Sequence, residues 1–304
     1  MELQERITGY LNYCRYRKEL DEKSLKAYWI DLRQFFEFCR VLEPDKSRIE
    51  EYITELHQKY RQKTVKRKLA SIKAFYNYLE EEEVIRNTPF RKIRVRFKEA
   101  MTLPRIIPRN EIELLLNSMY ADREENAGRN RRFWLRDLAV VEMFFATGAR
   151  VYEISNIRAR CFDLDSGLLK IDGKGDKERY IQIGDENVLK LLRHYHAANI
   201  KDIEKCGFFF INRRGERFTE QSIRCMLKRY TKTAGIERNI TPHMFRHSLA
   251  TYLIEEGVDI SCIQQIFGHS SIRTTQIYIH VAAGKQAEIL KERHPRRNMK
   301  IHMN

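Results

Sequence analysis

Tyr278 lies nine residues after His269 and 32 after Arg246, and Arg246 itself closes the run His243-Met244-Phe245-Arg246. Further upstream, Arg150 closes Thr147-Gly148-Ala149-Arg150. These positions supply a hydroxyl nucleophile, two guanidinium groups and two imidazoles, which is what phosphate-ester chemistry without a metal ion would require. Guanidiniums are permanently charged and fork-shaped, suited to a charge that grows on a phosphate in the transition state. A covalent phospho-enzyme conserves bond energy, so a broken ester can be reformed without ATP. Taken one at a time, the same residues are ordinary, because a lone tyrosine on a helix usually serves packing.

Local signals say how these groups are held. Thr241-Pro242 reads as a helix start, Thr at the N-cap and Pro at the first helical position. His243 and Arg246, three apart, then share one face. A second helix is expected over Asp259 to Phe267, with Ile260, Ile263, Ile266 and Phe267 for burial and Gly268 at its C-terminal cap. That leaves His269 just past a helix end. Ser270 or Ser271 can cap a following helix that bears Tyr278, about 100° round from Ile279. Glu153, three residues after Arg150, is expected on one helix face with it. Leu168–Ile171 and Tyr180–Ile183 flank Gly173-Lys174-Gly175-Asp176, which predicts a β-hairpin with a glycine-rich turn. Phe208–Ile211 predicts another short strand.

The composition shifts near residues 99–108. Residues 1–98 hold no glycine apart from Gly9 and read as helices throughout. Leu25, Trp29, Leu32, Phe35, Phe36 and Cys39 recur at helical spacing, as do Val65, Leu69, Ile72, Phe75, Tyr76 and Leu79. Asn87-Thr88-Pro89 is expected to stop the last of these helices. Residues 99–108 carry two prolines and read as an extended linker, and Asn110 with Glu111 and Glu113 is expected to restart a helix. The 304 residues thus suggest two domains, 1–98 and 109–304.

Formal net charge is +15 with a pI near 9.5, which favours a polyanionic partner. Arg61, Lys63, Lys66, Arg67 and Lys68 crowd one helix start; Arg91, Lys92, Arg94, Arg96 and Lys98 lead into the linker. Two such runs beside a linker suit a clamp that tracks phosphates. No apolar run approaches the roughly 20 residues needed to span a bilayer. The acidic start Met1-Glu2-Leu3-Gln4-Glu5 is unlike a signal peptide. The six cysteines are scattered with no Cys-x-x-Cys pair, as expected for reduced thiols in the cytoplasm.

These motifs, taken together and in this order, resemble the tyrosine recombinase (phage integrase) family, and within it the Xer-type recombinases. The resemblance rests on Ala146–Arg150 with Glu153, Gly173–Arg179, His243–Thr251, Phe267–Ser270 and Thr274–Tyr278, and more loosely on Ser24, Tyr28, Asp31-Leu32, Phe35, Thr64, Arg67 and Leu69. Ala149 and Tyr152 depart from the family, which more often carries a larger aliphatic and a serine there. Residues 120–133 look longer than the usual connection. The resemblance implies a mostly α fold with small β-hairpins, a helical core-binding domain followed by a mixed catalytic domain. It implies a site-specific DNA recombinase, with neither metal nor cofactor. Tyr278 would attack the scissile phosphate to give a 3′-phosphotyrosyl link and a free 5′-hydroxyl. Arg150 and Arg246 would hold the non-bridging oxygens, His243 would act as base toward Tyr278, and His269 would add a hydrogen bond to the phosphate. Lys174 would be the acid for the leaving 5′-oxygen, with Lys177 and Arg179 as rivals or plain phosphate contacts, and Glu153 would orient Arg150. The partner implied is double-stranded DNA bearing paired sites, gripped by a homotetramer or by a heterotetramer with a related recombinase, exchanging strands in pairs. The segment after Gly284 reads as a short amphipathic helix that docks on its own domain or on a neighbour. A type IB topoisomerase, or a binding protein that has lost catalysis, are the competing classes.

Overall fold

A computed structural model describes residues 2–95, 97, 105–121, 131–172 and 178–268. The chain divides into two compact units, Met1–Ala100 and Met101–Asn304. Helices α1 (Glu2–Tyr16), α2 (Glu22–Cys39), α3 (Lys46–Lys59) and α4 (Gln62–Glu81) build the first. Asp21 and Asp45 accept from the backbone N–H of Ser24 and Arg48, each at 2.8 Å, and so satisfy orphan donors at the starts of α2 and α3.

The apolar stripe of α4 is buried as its spacing predicts. In α2 one position departs: Trp29 is 37% exposed, with the Arg33 guanidinium 4.7 Å from its ring. The helix stop also differs from expectation. α4 ends at Glu81, well before Pro89. Glu80 to Glu83 put four negative charges at the negative end of the helix, and Glu83 turns left-handed at φ 57°. Asp31, fully buried, accepts from Arg67, Lys68 and Ser71. Lys68 is therefore part of the packed interior rather than of the basic surface run.

The second unit contains α5 (Arg109–Ala121), α6 (Arg131–Thr147), α7 (Val151–Ser155), β1 (Phe162–Asp163), β2 (Leu168–Asp172), β3 (Glu178–Gln182), α8 (Glu186–Cys206), α9 (Glu220–Thr233), α10 (Pro242–Glu255) and α11 (Ile260–Phe267). The strands form an antiparallel sheet in the order β1-β2-β3, so the fold is mostly helical with one small sheet. The pair Asp172↔Glu178 closes the predicted hairpin around residues 173–177, which lie outside the described residues. Phe208–Ile211 is not a strand. It makes isolated bridges to Arg158 and Arg217, with Phe209 and Phe210 buried against Tyr195. An apolar run buried on every side carries no period to read. Ile107, from the stretch read as linker, is buried in the second unit, where its N–H donates to Ser248 Oγ at 2.7 Å.

α5 begins at Arg109, one residue ahead of the expected Asn110. Residues 122–130 of the long connection, and everything after Gly268 including the amphipathic segment, lie outside the described residues. The six cysteines are free thiols. Among the described residues, no helix is long and apolar enough to cross a membrane.

Candidate active site

The site is built on the turn that leaves α6. Gly148 adopts φ +58°, and a Cβ there would stand 2.3 Å from Cε1 of Phe267. Only glycine lets the end of α11 close onto this turn. Thr147 Oγ1 accepts from the N–H of Ala149 at 3.1 Å, which holds the turn's shape.

Arg150 comes next, and it is not helical. It is the N-cap residue of α7, extended at φ −71° and ψ 152°. The expectation of one helix face shared with Glu153 is corrected accordingly: the two meet across the cap. Glu153 accepts from the backbone N–H of Arg150 at 2.7 Å and from its guanidinium at 2.9 Å. The intended pairing is present, through a geometry that helical spacing alone does not describe.

Glu153 has a second partner. Both terminal nitrogens of Arg179 donate to it, at 2.9 and 2.7 Å, and Arg179 Nε donates to the carbonyl of Ile266 at 3.1 Å. The Arg179 side chain is only 10% exposed, so its fork faces Glu153 and α11. Burial raises the Glu153 pKa, but the hydrogen bonds and charge of Arg179, then of Arg150, outweigh it and hold the carboxyl below its ordinary value.

Arg246 is 5% exposed on α10. It donates to the carbonyl of Gly148 at 2.8 Å and to that of Phe267 at 2.6 Å, with its guanidinium 4.5 Å from the Phe267 ring. One buried cation therefore ties together the α6 turn, α10 and the C-terminal end of α11. Favourable charge at that helix end comes from Arg179 and Arg246 together.

His243 sits at the start of α10, where Pro242 occupies the first turn as predicted, although Thr241 makes no side-chain cap bond. His243 is exposed by surface area yet crowded enough that desolvation is the first cause lowering its pKa below 6.5. The charges of Arg150, Arg224 and Arg246 lower it further, so the ring is neutral at pH 7. Burial, then His243 and Arg246, lowers His247 in the same direction. Arg224 and His247 are neighbours that the sequence reading did not single out. His247 lies one turn after His243 on α10, so helical spacing alone places it there, whereas Arg224 comes from α9 and only tertiary packing brings it to His243.

Lys174, Lys177, His269 and Tyr278 lie outside the described residues, as does Arg96. The described flanks are Asp172 and Glu178 of the hairpin, and Gly268, which caps α11 at φ +59°. In the first unit, Arg61, Lys63, Lys66, Arg67 and Arg94 are exposed. Arg67 is also anchored to Asp31, and Arg61 is the N-cap residue of α4 with no side-chain cap bond. Cations there oppose the helix dipole, so they do not stabilise α4.

Comparison with known proteins extends this picture over nearly the whole chain. Residues 7–83 match the phage integrase N-terminal SAM-like domain, and residues 106–285 match the phage integrase family. A protein named tyrosine recombinase from Agathobacter rectalis is 44% identical over 300 residues, covering 97% of this chain and 98% of that protein. A tyrosine recombinase XerC from Leptospira interrogans is 34% identical over 307 residues, covering 96% of this chain and 94% of its own. Among solved structures, the post-cleavage complex of the XerH site-specific recombinase with a palindromic difH substrate superposes with a TM-score of 0.74 at 22% identity, over 92% of this chain and 83% of that one. That last likeness speaks for the fold alone. Two family domains in order along one chain, with relatives aligned end to end, lead to a single conclusion: the chain belongs to the phage integrase family of tyrosine recombinases.

Proposed function

We propose that this chain is a site-specific DNA recombinase that cleaves and rejoins strands through a 3′-phosphotyrosyl intermediate, with Tyr278 as the nucleophile. The observation that carries the reading is the convergence of the two candidate phosphate clamps. Arg246 is bonded to the carbonyl of Gly148, two residues before Arg150. In the reaction, the Tyr278 hydroxyl attacks phosphorus and its proton passes to the neutral ring of His243. The bond from phosphorus to the 5′-oxygen breaks, and Lys174 protonates that oxygen. Arg150 and Arg246 hold the non-bridging oxygens, with a hydrogen bond from His269. Rejoining runs the same steps in reverse with the 5′-hydroxyl of the partner strand, so neither ATP nor a metal ion enters. Arg61, Lys63, Lys66, Arg67, Arg94, Arg96 and Lys177 would track the duplex phosphates, and two paired sites would be held by four protomers in the cytoplasm.

Nicked DNA tests the reading, because loss of the short cleaved fragment traps the covalent complex. A chain that binds DNA but yields no such complex would be a binding protein. Relaxation of supercoiled DNA lacking paired sites would instead mark a topoisomerase.

Two outcomes follow for the proton carriers. A base must be neutral to work, so cleavage falls as pH drops through the depressed pKa of His243. The acid limb of the cleavage rate against pH is expected below 6.5, the ordinary histidine value. A limb above 6.5 would remove His243 from the role of base. For Lys174→Ala, a substrate with sulfur at the 5′-bridging position should restore much of the lost rate, since the thiolate leaves without a proton. Equal defects on both substrates would pass the role to Lys177.

A further inference from the structure

The surroundings of Arg179 suit neither a phosphate contact nor a rival to the catalytic lysine. Its side chain is 10% exposed, and its three guanidinium nitrogens donate to Glu153 Oε1, Glu153 Oε2 and the Ile266 carbonyl. β3 continues through Ile181, buried two residues on, so Arg179 lies on the core-facing side of its strand. A Cβ on Gly268 would approach its Cδ to 3.0 Å, which leaves no slack on the α11 side either.

We propose that Arg179 is a positioning residue for strand cleavage: it neutralises Glu153, so that Glu153 orients Arg150 without capturing it, and it fastens the strand leaving the Lys174 hairpin to the end of α11. The inference rests on the recombinase reading of the site. Glu153 is 3% exposed in its side chain and has two guanidinium partners. A buried carboxylate stripped of one cation draws harder on the other. Arg150 is 41% exposed in its side chain, so it is the group able to move. Without Arg179, Arg150 would close onto Glu153 and compete poorly for a DNA phosphate. The same loss would free the start of β3 from α11, the two elements that flank Lys174 and His269.

The signature is a rescue that no plain phosphate contact would give. The full-length chain is compared as wild type, R179M, R179K and E153Q/R179M, on nicked DNA at saturating concentration and in single-site binding across a salt series. R179M is expected to cleave on the order of 10²-fold more slowly, the scale of a slightly misplaced clamp, with the salt slope of binding unchanged. R179K keeps a charge against Glu153 but loses the fork, and a fall of roughly tenfold is expected. In E153Q/R179M the unpaired carboxylate is gone, so cleavage should exceed that of R179M by roughly tenfold.

Should R179M fail to fold, R179K and the double variant carry the same comparison. A salt slope that drops by about one in R179M or in E153Q/R179M, the two variants that remove the charge, would make Arg179 a phosphate contact and overturn the proposal. So would wild-type cleavage by R179K, or a double variant no faster than the single one. A wild-type chain that forms no covalent complex overturns the recombinase reading and this inference together; wild-type cleavage alongside normal R179M overturns this inference alone.

Discussion

Tyr278→Phe is expected to abolish covalent attachment to DNA while leaving single-site binding within a few-fold of wild type. The substitution removes one hydroxyl and nothing else. Binding rests on Lys and Arg contacts to phosphate, which the change does not touch. The nucleophile, in contrast, has no substitute, since no bond to phosphorus can form without that oxygen. The readout is a denaturing gel of nicked DNA, with a native gel for affinity. A normal covalent band from the phenylalanine variant would move the nucleophile elsewhere. The exposed Tyr152, two residues beyond Arg150, would be the first alternative to test.

What the sequence disclosed about this site follows a physical division. Cap chemistry is local, so Pro242 at the start of α10 and Gly268 at the end of α11 are readable without the fold, whereas Asp259, expected as the first helical residue, is the N-cap of α11. The hairpin was readable too, because glycines between two apolar runs specify it. Ion pairs are different. Arg179 and Glu153 are 26 residues apart, and Arg246 and Gly148 are 98 apart, so no window of sequence contains either pair. A signal for Arg179 did exist. In a strand, alternate residues share a face, and Ile181 and Ile183 are plainly core residues, so Arg179 must face inward with them. A charged residue on a core face requires a buried partner. The same logic applies to Asp31 in the stripe of α2, whose partners Arg67 and Lys68 looked like surface cations. Misjudged boundaries have another cause. α4 ended early because clustered glutamates oppose the helix dipole, a charge effect that a search for proline overlooks.

Arg150→Lys and Arg246→Lys are expected to lower cleavage by at least ~10²-fold each, the scale for losing one transition-state donor. Lysine keeps the charge but cannot present two parallel N–H groups to a phosphate. The two variants should nonetheless differ in stability. Arg150 has a side chain 41% exposed and one guanidinium bond to Glu153, so its replacement is expected to leave the melting temperature nearly unchanged. Arg246 is 5% exposed and joins the carbonyls of Gly148 and Phe267. A lysine amine cannot span both carbonyls with the same geometry, and a buried acceptor left unpaired costs about 1–3 kcal/mol. For a unit of this size that corresponds to a fall of roughly 2–10 °C in Tm. Thermal melts and single-turnover cleavage on the same preparations separate the two roles. Equal stability in both variants would mean that Arg246 does not hold the α6 turn against α11. Wild-type cleavage in both would mean that these guanidiniums only position DNA. Arg246 is thus expected to be the residue at which architecture and chemistry cannot be separated, because the bonds that place its fork are the bonds that close the site.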